Sequence, residues 1–265
     1  MIKREIKMSK TDRQKEIIEI LKIESFISVA DLSKRLYASQ PTVRRDLDSL
    51  EKRGIVRRNH GGAVLCENEI SSPVSFRKKM HSKQKSDICR MASTLIPPDS
   101  LVFADASSTA LHLCEYIKPS DNVTVVTNGI PLFKALTNCA ISAILTGGSL
   151  VESSQALVGG AAERTVTLYN ADVMFFSSSA LGEDGMISDY SEKETALRFV
   201  MCERSRKTVF LCDGTKFDRA SSYCLMLLSD ADYTVTDTPL ADSLLKSHNL
   251  ILVDTAEGAY LYAKK

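Results

Sequence analysis

The chain has 265 residues, 44% apolar and 25% charged with no tryptophan, a size and composition that suit a small domain joined to a mid-sized one. No stretch reaches the roughly 20 apolar residues that cross a bilayer, and the opening MIKREIKMSK lacks the apolar centre of a signal peptide, so a cytoplasmic protein with no membrane partner is expected. The net charge of +1 conceals an asymmetry: residues 1–86 carry 20 Lys and Arg against 11 Asp and Glu, a net +9, and the remainder 14 against 22, a net −8. A basic head suited to a polyanion therefore precedes an acidic body. The seven cysteines, at 66, 89, 114, 139, 202, 212 and 224, form no C-x-x-C pair, and the four histidines are scattered. Reduced, mostly buried thiols are expected, with no metal site and no cofactor.

In the head, Thr11-Asp-Arg-Gln14 reads as a capping box, with Ile17, Ile20 and Leu21 as the apolar face of the helix it opens. After the break at ESFIS, Ser28 caps a short second helix whose Val29, Leu32 and Leu36 share a face. Ser39 caps a third, SQPTVRRDLDSLEKRG, in which Pro41 is tolerated in the first turn and Gly54 supplies a left-handed end. Val43, Leu47 and Leu50 form its buried stripe, while Pro41, Arg45, Asp48 and Lys52 point away, with Thr42 and Arg44 on the flanks. IVRRNHGGAVL then reads as two short strands turning at Asn59-His60-Gly61-Gly62.

Three short helices and a basic hairpin make the plan of a winged helix-turn-helix, with double-stranded DNA as the partner. The third helix docks by its stripe and leaves its polar face to the major groove. Arg44 and Arg45 then meet phosphates or guanines, Gln40 and Thr42 near the capping Ser39 reach base edges, and Arg57, Arg58 and His60 hold the backbone or minor groove.

Residues 67–82 are rich in Ser and Lys and lack a strong apolar period, so they read as a linker running into a helix from about Ser82 to Leu95. Arg77, Lys78, Lys79, Lys83 and Lys85 are read as brushing DNA or as solvated. From Leu101 onward, strand-like LVFAD, VTVVTN, SAILTGG, DVMFFSSS, KTVFLCD, YTVTD and LILVDT alternate with helical stretches. That alternation predicts a mostly parallel sheet covered by helices, which binds ligands at its carboxyl edge. Asp105, Ser107, Ser108 and Thr109 follow the first of these strands, Thr127 and Asn128 the second, Gly147 and Gly148 the third, and Asp213 and Lys216 a later one. Their hydroxyls and amides suit a phosphate, and Lys216 adds a positive charge.

The TVRRDL run at residues 42–47 and the RNHGGA run at 58–63 resemble the DNA-binding head of DeoR-type bacterial transcription regulators. The likeness continues through DASST at 105–109, Thr127-Asn128, Gly147-Gly148 and DGTK at 213–216. It implies an effector domain akin to ribose-5-phosphate isomerase that senses a phosphorylated sugar or related metabolite, with these residues, Ser178 and Arg198 as effector contacts. Two departures bear on the effector. Where relatives have F-x-G-V-x-G this chain has FFSSSA, with Ser177 and Ala180 at the glycine positions, and Arg198 stands in place of a common lysine. A planar fork and a point charge do not hold a ligand alike.

The expected architecture is multidomain: a small α+β winged helix-turn-helix at 1–66, a linker at 67–82, and an α/β Rossmann-like, mostly parallel sheet domain at 83–265. The expected function is a sequence-specific repressor of sugar or related carbon metabolism genes, acting as a homo-oligomer, because one short recognition helix is poorly selective. An isomerase carrying a DNA-binding head is the alternative, with Asp105, Asp213, Glu183 and Asp184 as candidate bases. A DNA-bound scaffold with an empty, vestigial pocket is the third reading.

Overall fold

The computed structural model describes residues 9–24, 26–52, 55–59, 61–65 and 74–265. The chain divides into two compact units, Met1–Met80 and His81–Lys265.

The first unit holds α1 (Lys10–Ile23), β1 (Ile27–Ser28), α2 (Val29–Arg35), α3 (Gln40–Glu51), β2 (Val56–Asn59), β3 (Gly62–Leu65) and α4 (Val74–Lys79). None of the first three helices could persist alone, and they share one core. Ile17 and Leu21 of α1, Val29 and Leu32 of α2, and Val43, Leu47 and Leu50 of α3 pack with Ile27, Val56, Ala63 and Leu65 of the sheet. The α1 cap differs from the sequence expectation. Ser9, not Thr11, accepts from the Asp12 amide at 3.2 Å and donates to the Asp12 carboxylate at 2.6 Å, because the Ser9/Asp12 pair offers the same reciprocal chemistry two residues earlier. Thr11 therefore lies inside the helix, and Gln14 is buried. Ser28 caps α2 as expected, accepting from the Asp31 amide at 3.0 Å.

The wing pairs β2 with β3 in antiparallel register, Val56 opposite Leu65 and Asn59 opposite Gly62. Residues 27–28, expected as a break, form β1 on the outer side of β3. Gly62 allows that approach, since a Cβ there would lie 2.5 Å from the Ile27 carbonyl oxygen. Gly54, expected to end α3, and His60, expected at the wing tip, lie outside the described residues. Within the stretch read as linker, residues 74–79 form α4; Val74 and Met80 are buried, and Met80 packs on Val64.

The second unit begins with α5 (Ser82–Ser93) and continues through β4 (Leu101–Ala104), β5 (Thr124–Thr127), α6 (Ile130–Asn138), β6 (Ser142–Leu145), β7 (Ser149–Val151), β8 (Ala156–Val158), α7 (Gly160–Thr167) and β9 (Val173–Phe176). Then come β10 (Ala180–Leu181), β11 (Met186–Asp189), α8 (Glu192–Glu203), β12 (Thr208–Cys212), β13 (Tyr223–Leu227), β14 (Tyr233–Thr236), α9 (Asp242–Ser247), β15 (Leu250–Ala256) and β16 (Ala259–Lys264). The main sheet runs β15-β16-β14-β12-β9-β4-β5-β6. The strands from β14 to β6 are mutually parallel, and β16 joins antiparallel on both sides.

The sheet is buried on both faces, as alternating side chains along each strand require. Val102, Val125, Phe175, Val209 and Leu211 pack under α5 and α6. Phe103, Val126, Met174, Phe176 and Phe210 pack under α7, α8 and α9. This is the expected three-layer α/β unit. Cysteine burial is more divided than expected: Cys89, Cys202 and Cys212 are buried, but Cys139 and Cys224 are exposed at the end of α6 and on β13. Cys66 lies outside the described residues.

Candidate functional site

In the first unit, α3 turns Val43, Leu47 and Leu50 inward and leaves Ser39, Gln40, Arg44 and Arg45 exposed, with Thr42 half-buried. Ser39 occupies the cap position without bonding an amide; its hydroxyl meets that of Thr42 at 2.9 Å. Arg45 lies back along the helix, Nε donating to the Pro41 carbonyl at 3.3 Å. The wing is tied to the same helix. The Arg58 amide donates to Glu51 at 2.7 Å, and the Arg58 guanidinium pairs with Asp48. Arg57 is half-buried.

Asp46 is 2% exposed and takes Arg13 Nε of α1 at 2.5 Å, joining the first and third helices by a charge pair. The sequence reading passed over it, yet it lies three residues after Val43 and four before Leu50, on the edge of the buried stripe.

In the second unit, the polar loops after β4, β5, β6, β9 and β12 share the carboxyl edge of the sheet, on five adjacent strands. The chain leaves β4 in one direction toward β5 and β6 and in the other through β9 toward β12 and β14. The gap between β4 and β9 is therefore the topological switch point, where doubly wound sheets hold their ligands. Asp105 stands there with both oxygens in use. Oδ1 accepts from the Ser107 amide at 3.1 Å, and Oδ2 accepts from the Ser177 amide at 3.2 Å and Arg198 Nε at 3.0 Å. Arg198, delivered by α8, is 4% exposed and spans from Asp105 to Asp189 of β11, Nη1 to Oδ2 3.1 Å. Burial opposes the charge on Arg198, but Asp189, Asp105 and Glu194 outweigh it and raise the guanidinium above its ordinary pKa.

Lys216 closes the other side of the cluster. Its Nζ donates to Ser177 Oγ at 2.7 Å and to Thr109 Oγ1 at 3.5 Å, and lies 3.5 Å from Asp213. Asp213 also bonds the Thr215 amide and hydroxyl. Burial works to raise the Asp213 carboxyl, but Lys216, Lys85, Thr215 and His81 together hold it down at about 2.

Of the residues expected at the effector site, Asp105, Thr109, Arg198, Asp213 and Lys216 thus belong to one bonded cluster through Ser177, the Ser107 amide closes the loop, and Ser108 bonds Lys85, which bears on Asp213. Thr127 and Asn128 lie beside it: Thr127 Oγ1 takes the Gly129 amide at 3.0 Å, and a Cβ on Gly129 would lie 2.9 Å from Ala106 Cα. Asn128 donates to the Leu157 carbonyl at 3.1 Å, and its buried Oδ1 has no partner among the described residues. Gly147 and Gly148 take positive φ at the end of β6, and Gly148 backs onto the Val158 carbonyl, where a Cβ would come within 2.6 Å. Ser178 donates to the Ala180 carbonyl at 3.0 Å, inside the turn to β10.

Three members of the cluster were not singled out from the sequence. Ser177, noted there only as a departure from a glycine, is its centre. Asp189 is the second partner of Arg198. Lys85, read as a linker cation that brushes DNA or is solvated, is instead 4% exposed on α5, with Nζ donating to Ser108 Oγ at 3.3 Å. The spacing Lys85-x-x-Ile88-Cys89 places it on the buried face of α5, which is the signal that would have found it. Of the carboxylates considered for isomerase chemistry, Asp105 and Asp213 are committed to cations, Glu183 is exposed, and Asp184 accepts from the Met186 amide in the turn between β10 and β11.

Residues 13–69 match the DeoR-like helix-turn-helix domain, and residues 80–238 match the DeoR C-terminal sensor domain. The HTH-type transcriptional regulator GolR of Listeria innocua is 32% identical over 89% of this chain and 93% of its own. The glycerol-3-phosphate regulon repressor of Escherichia coli K12 is 27% identical over 90% and 95%, and the transcriptional repressor AccR of Agrobacterium fabrum is 28% identical over 87% and 90%. Among solved structures, ribose 5-phosphate isomerase A from Methanocaldococcus jannaschii matches at 12% identity, with a TM-score of 0.40 over 52% of this chain and 55% of that one. Among the described residues no helix is long and apolar enough to cross a membrane. With both units matched in order, the chain belongs to the DeoR family and is a DNA-binding transcriptional regulator, not an enzyme.

Proposed function

We propose that the protein is a cytoplasmic homo-oligomeric repressor of sugar or related carbon metabolism genes, whose operator affinity is set by a phosphorylated sugar bound at the switch point. The observation that carries this reading is the convergence of Lys216 and Arg198, with the hydroxyls of Ser108, Thr109 and Ser177, on one buried edge of the sheet. Lys216 and the 107–109 loop take the phosphate, and Arg198, Asp105, Asp213 and Ser178 face the sugar, with Thr127, Asn128, Gly147 and Gly148 shaping the flank. The names of relatives such as the glycerol-3-phosphate regulon repressor agree with a phosphorylated effector. In the head, Ser39, Gln40 and Thr42 approach base edges, Arg44 and Arg45 take guanine or phosphate, and Arg57, Arg58 and His60 hold the backbone. Control is by linkage: an effector that binds the DNA-free state more tightly empties the operator, and the operator weakens the effector by the same factor.

A panel of sugar phosphates and their unphosphorylated sugars, read by thermal stability, tests the pocket. At a hundredfold excess over Kd, a true effector stabilises the folded state by about 2.7 kcal/mol. One phosphorylated member should raise Tm in the wild type and not in Lys216→Met. A panel in which no phosphate acts, or in which the bare sugar acts equally, contradicts the reading.

A further inference from the structure

We propose that the first turn of α5 is a switch element of the sensor unit: Lys85 senses the occupancy of the pocket and re-sets the turn that runs back to His81. This rests on the pocket being an anion site. Lysine is almost never fully buried without a partner, and Lys85 holds its place by bonding Ser108 in the loop after β4. One turn further on, Cys89 Sγ meets the Thr109 carbonyl of the same loop at 3.1 Å. The helix therefore touches the cradle loop twice.

The two touches differ in what surrounds them. From Ile88 onward α5 is fixed, with Ile88, Cys89, Met91 and Ala92 buried in the core. Before Lys85 the helix has fewer side chains in the core: Ser82 and Lys83 are exposed, and His81 occupies the cap position without a side-chain cap bond. His81 also stands in the left-handed region, φ 51° and ψ 35°, which is uncommon for a non-glycine residue, though histidine is among those that adopt it more often. Lys85 and His81 are both among the groups that hold the Asp213 carboxyl down. An anion in the cradle competes with Ser108 and Asp213 for Lys85. Drawing Lys85 toward that anion re-sets the turn it belongs to, and with it residue 81, whose carbonyl takes the Lys85 amide at 3.0 Å.

The test is hydrogen exchange of the amides of residues 81–86 in the full-length protein, with inorganic phosphate as probe and thermal stability as the measure of binding. In the wild type, phosphate should raise Tm and change exchange across 81–86 several-fold. Lys85→Met should still gain Tm, through Lys216, but lose the exchange response; Lys85→Arg should restore it, and Lys83→Met, an exposed neighbour, should leave it intact. Phosphate that raises Tm without altering 81–86, a Lys85→Met protein that responds as the wild type does, or a wild type that phosphate does not touch would each overturn the proposal. If phosphate acts as expected yet no sugar phosphate alters operator binding, the effector reading fails and the coupling within the sensor stands.

Discussion

Arg198 is held between two carboxylates, and taking it away leaves Asp105 and Asp189 buried without their cation. Arg198→Met should cost about 3–5 kcal/mol, the usual penalty for breaking one side of a buried ion pair. Adding Asp189→Asn to that variant should recover part of the loss. Urea denaturation of the three proteins checks this, and a double variant no more stable than the single one would count against the pairing. Asp213 gives a pH signature. Its carboxyl falls from an ordinary 3.8 to about 2 on folding, so the stability it contributes is complete above about pH 4 and is lost as pH falls toward 2. Without Lys216 the folded-state pKa rises, and Lys216→Met should unfold at a higher pH in an acid titration followed by circular dichroism. Equal acid midpoints would mean that Lys216 does not hold this carboxylate. Two of the residues missed from the sequence share a reason. Lys85 and Asp46 are charged, and charged side chains default to solvent unless a partner far along the chain, Ser108 or Arg13, brings them inside.

At the scale of elements, α3 and the wing are coupled by the Asp48–Arg58 pair and the Glu51 cap on the Arg58 amide. In the free protein Asp48 holds Arg58, which the proposed complex would hand to a DNA phosphate. Asp48→Ala should therefore tighten binding to all sequences alike and steepen the dependence of log affinity on log salt by about one phosphate contact, measured by titration at several salt concentrations. Arg45→Ala should weaken operator binding by about 1–3 kcal/mol if Arg45 reads a base, with little change on unrelated DNA. An Arg45→Ala loss that is equal on both would make Arg45 a phosphate contact.

Helices α2 and α3 and the parallel strands were legible because Val29/Leu32 and Val43/Leu47/Leu50 repeat at helical spacing and LVFA, VMFF and TVFLC are compact apolar runs. The elements that were not legible are short or depend on distant partners. β1 and β10 have two residues each, and β13 and β16 owe their pairing to β11 and to β14 and β15. The polar cluster at the carboxyl edge of the sheet was legible by its loops, since five strand ends carry Ser, Thr, Asp or Gly, and illegible in its bonding. Nothing local to Ser177 or Asp189 reveals that one meets Lys216 and the other Arg198.

For the whole molecule, the charge asymmetry acquires a physical sense. The excess of +9 on residues 1–86 suits a phosphate backbone, and the −8 on the remainder does not. The proposed repressor must do two things with one chain: hold an operator, and change that hold when a phosphorylated effector is bound. Capture of genomic DNA fragments by the purified protein at fixed salt, with and without a panel of phosphorylated sugars, tests both together. A small set of fragments that is enriched by the protein and lost on adding one sugar phosphate, but not its bare sugar, is the result predicted here. Enrichment that no sugar phosphate alters would contradict a phosphate-controlled regulator.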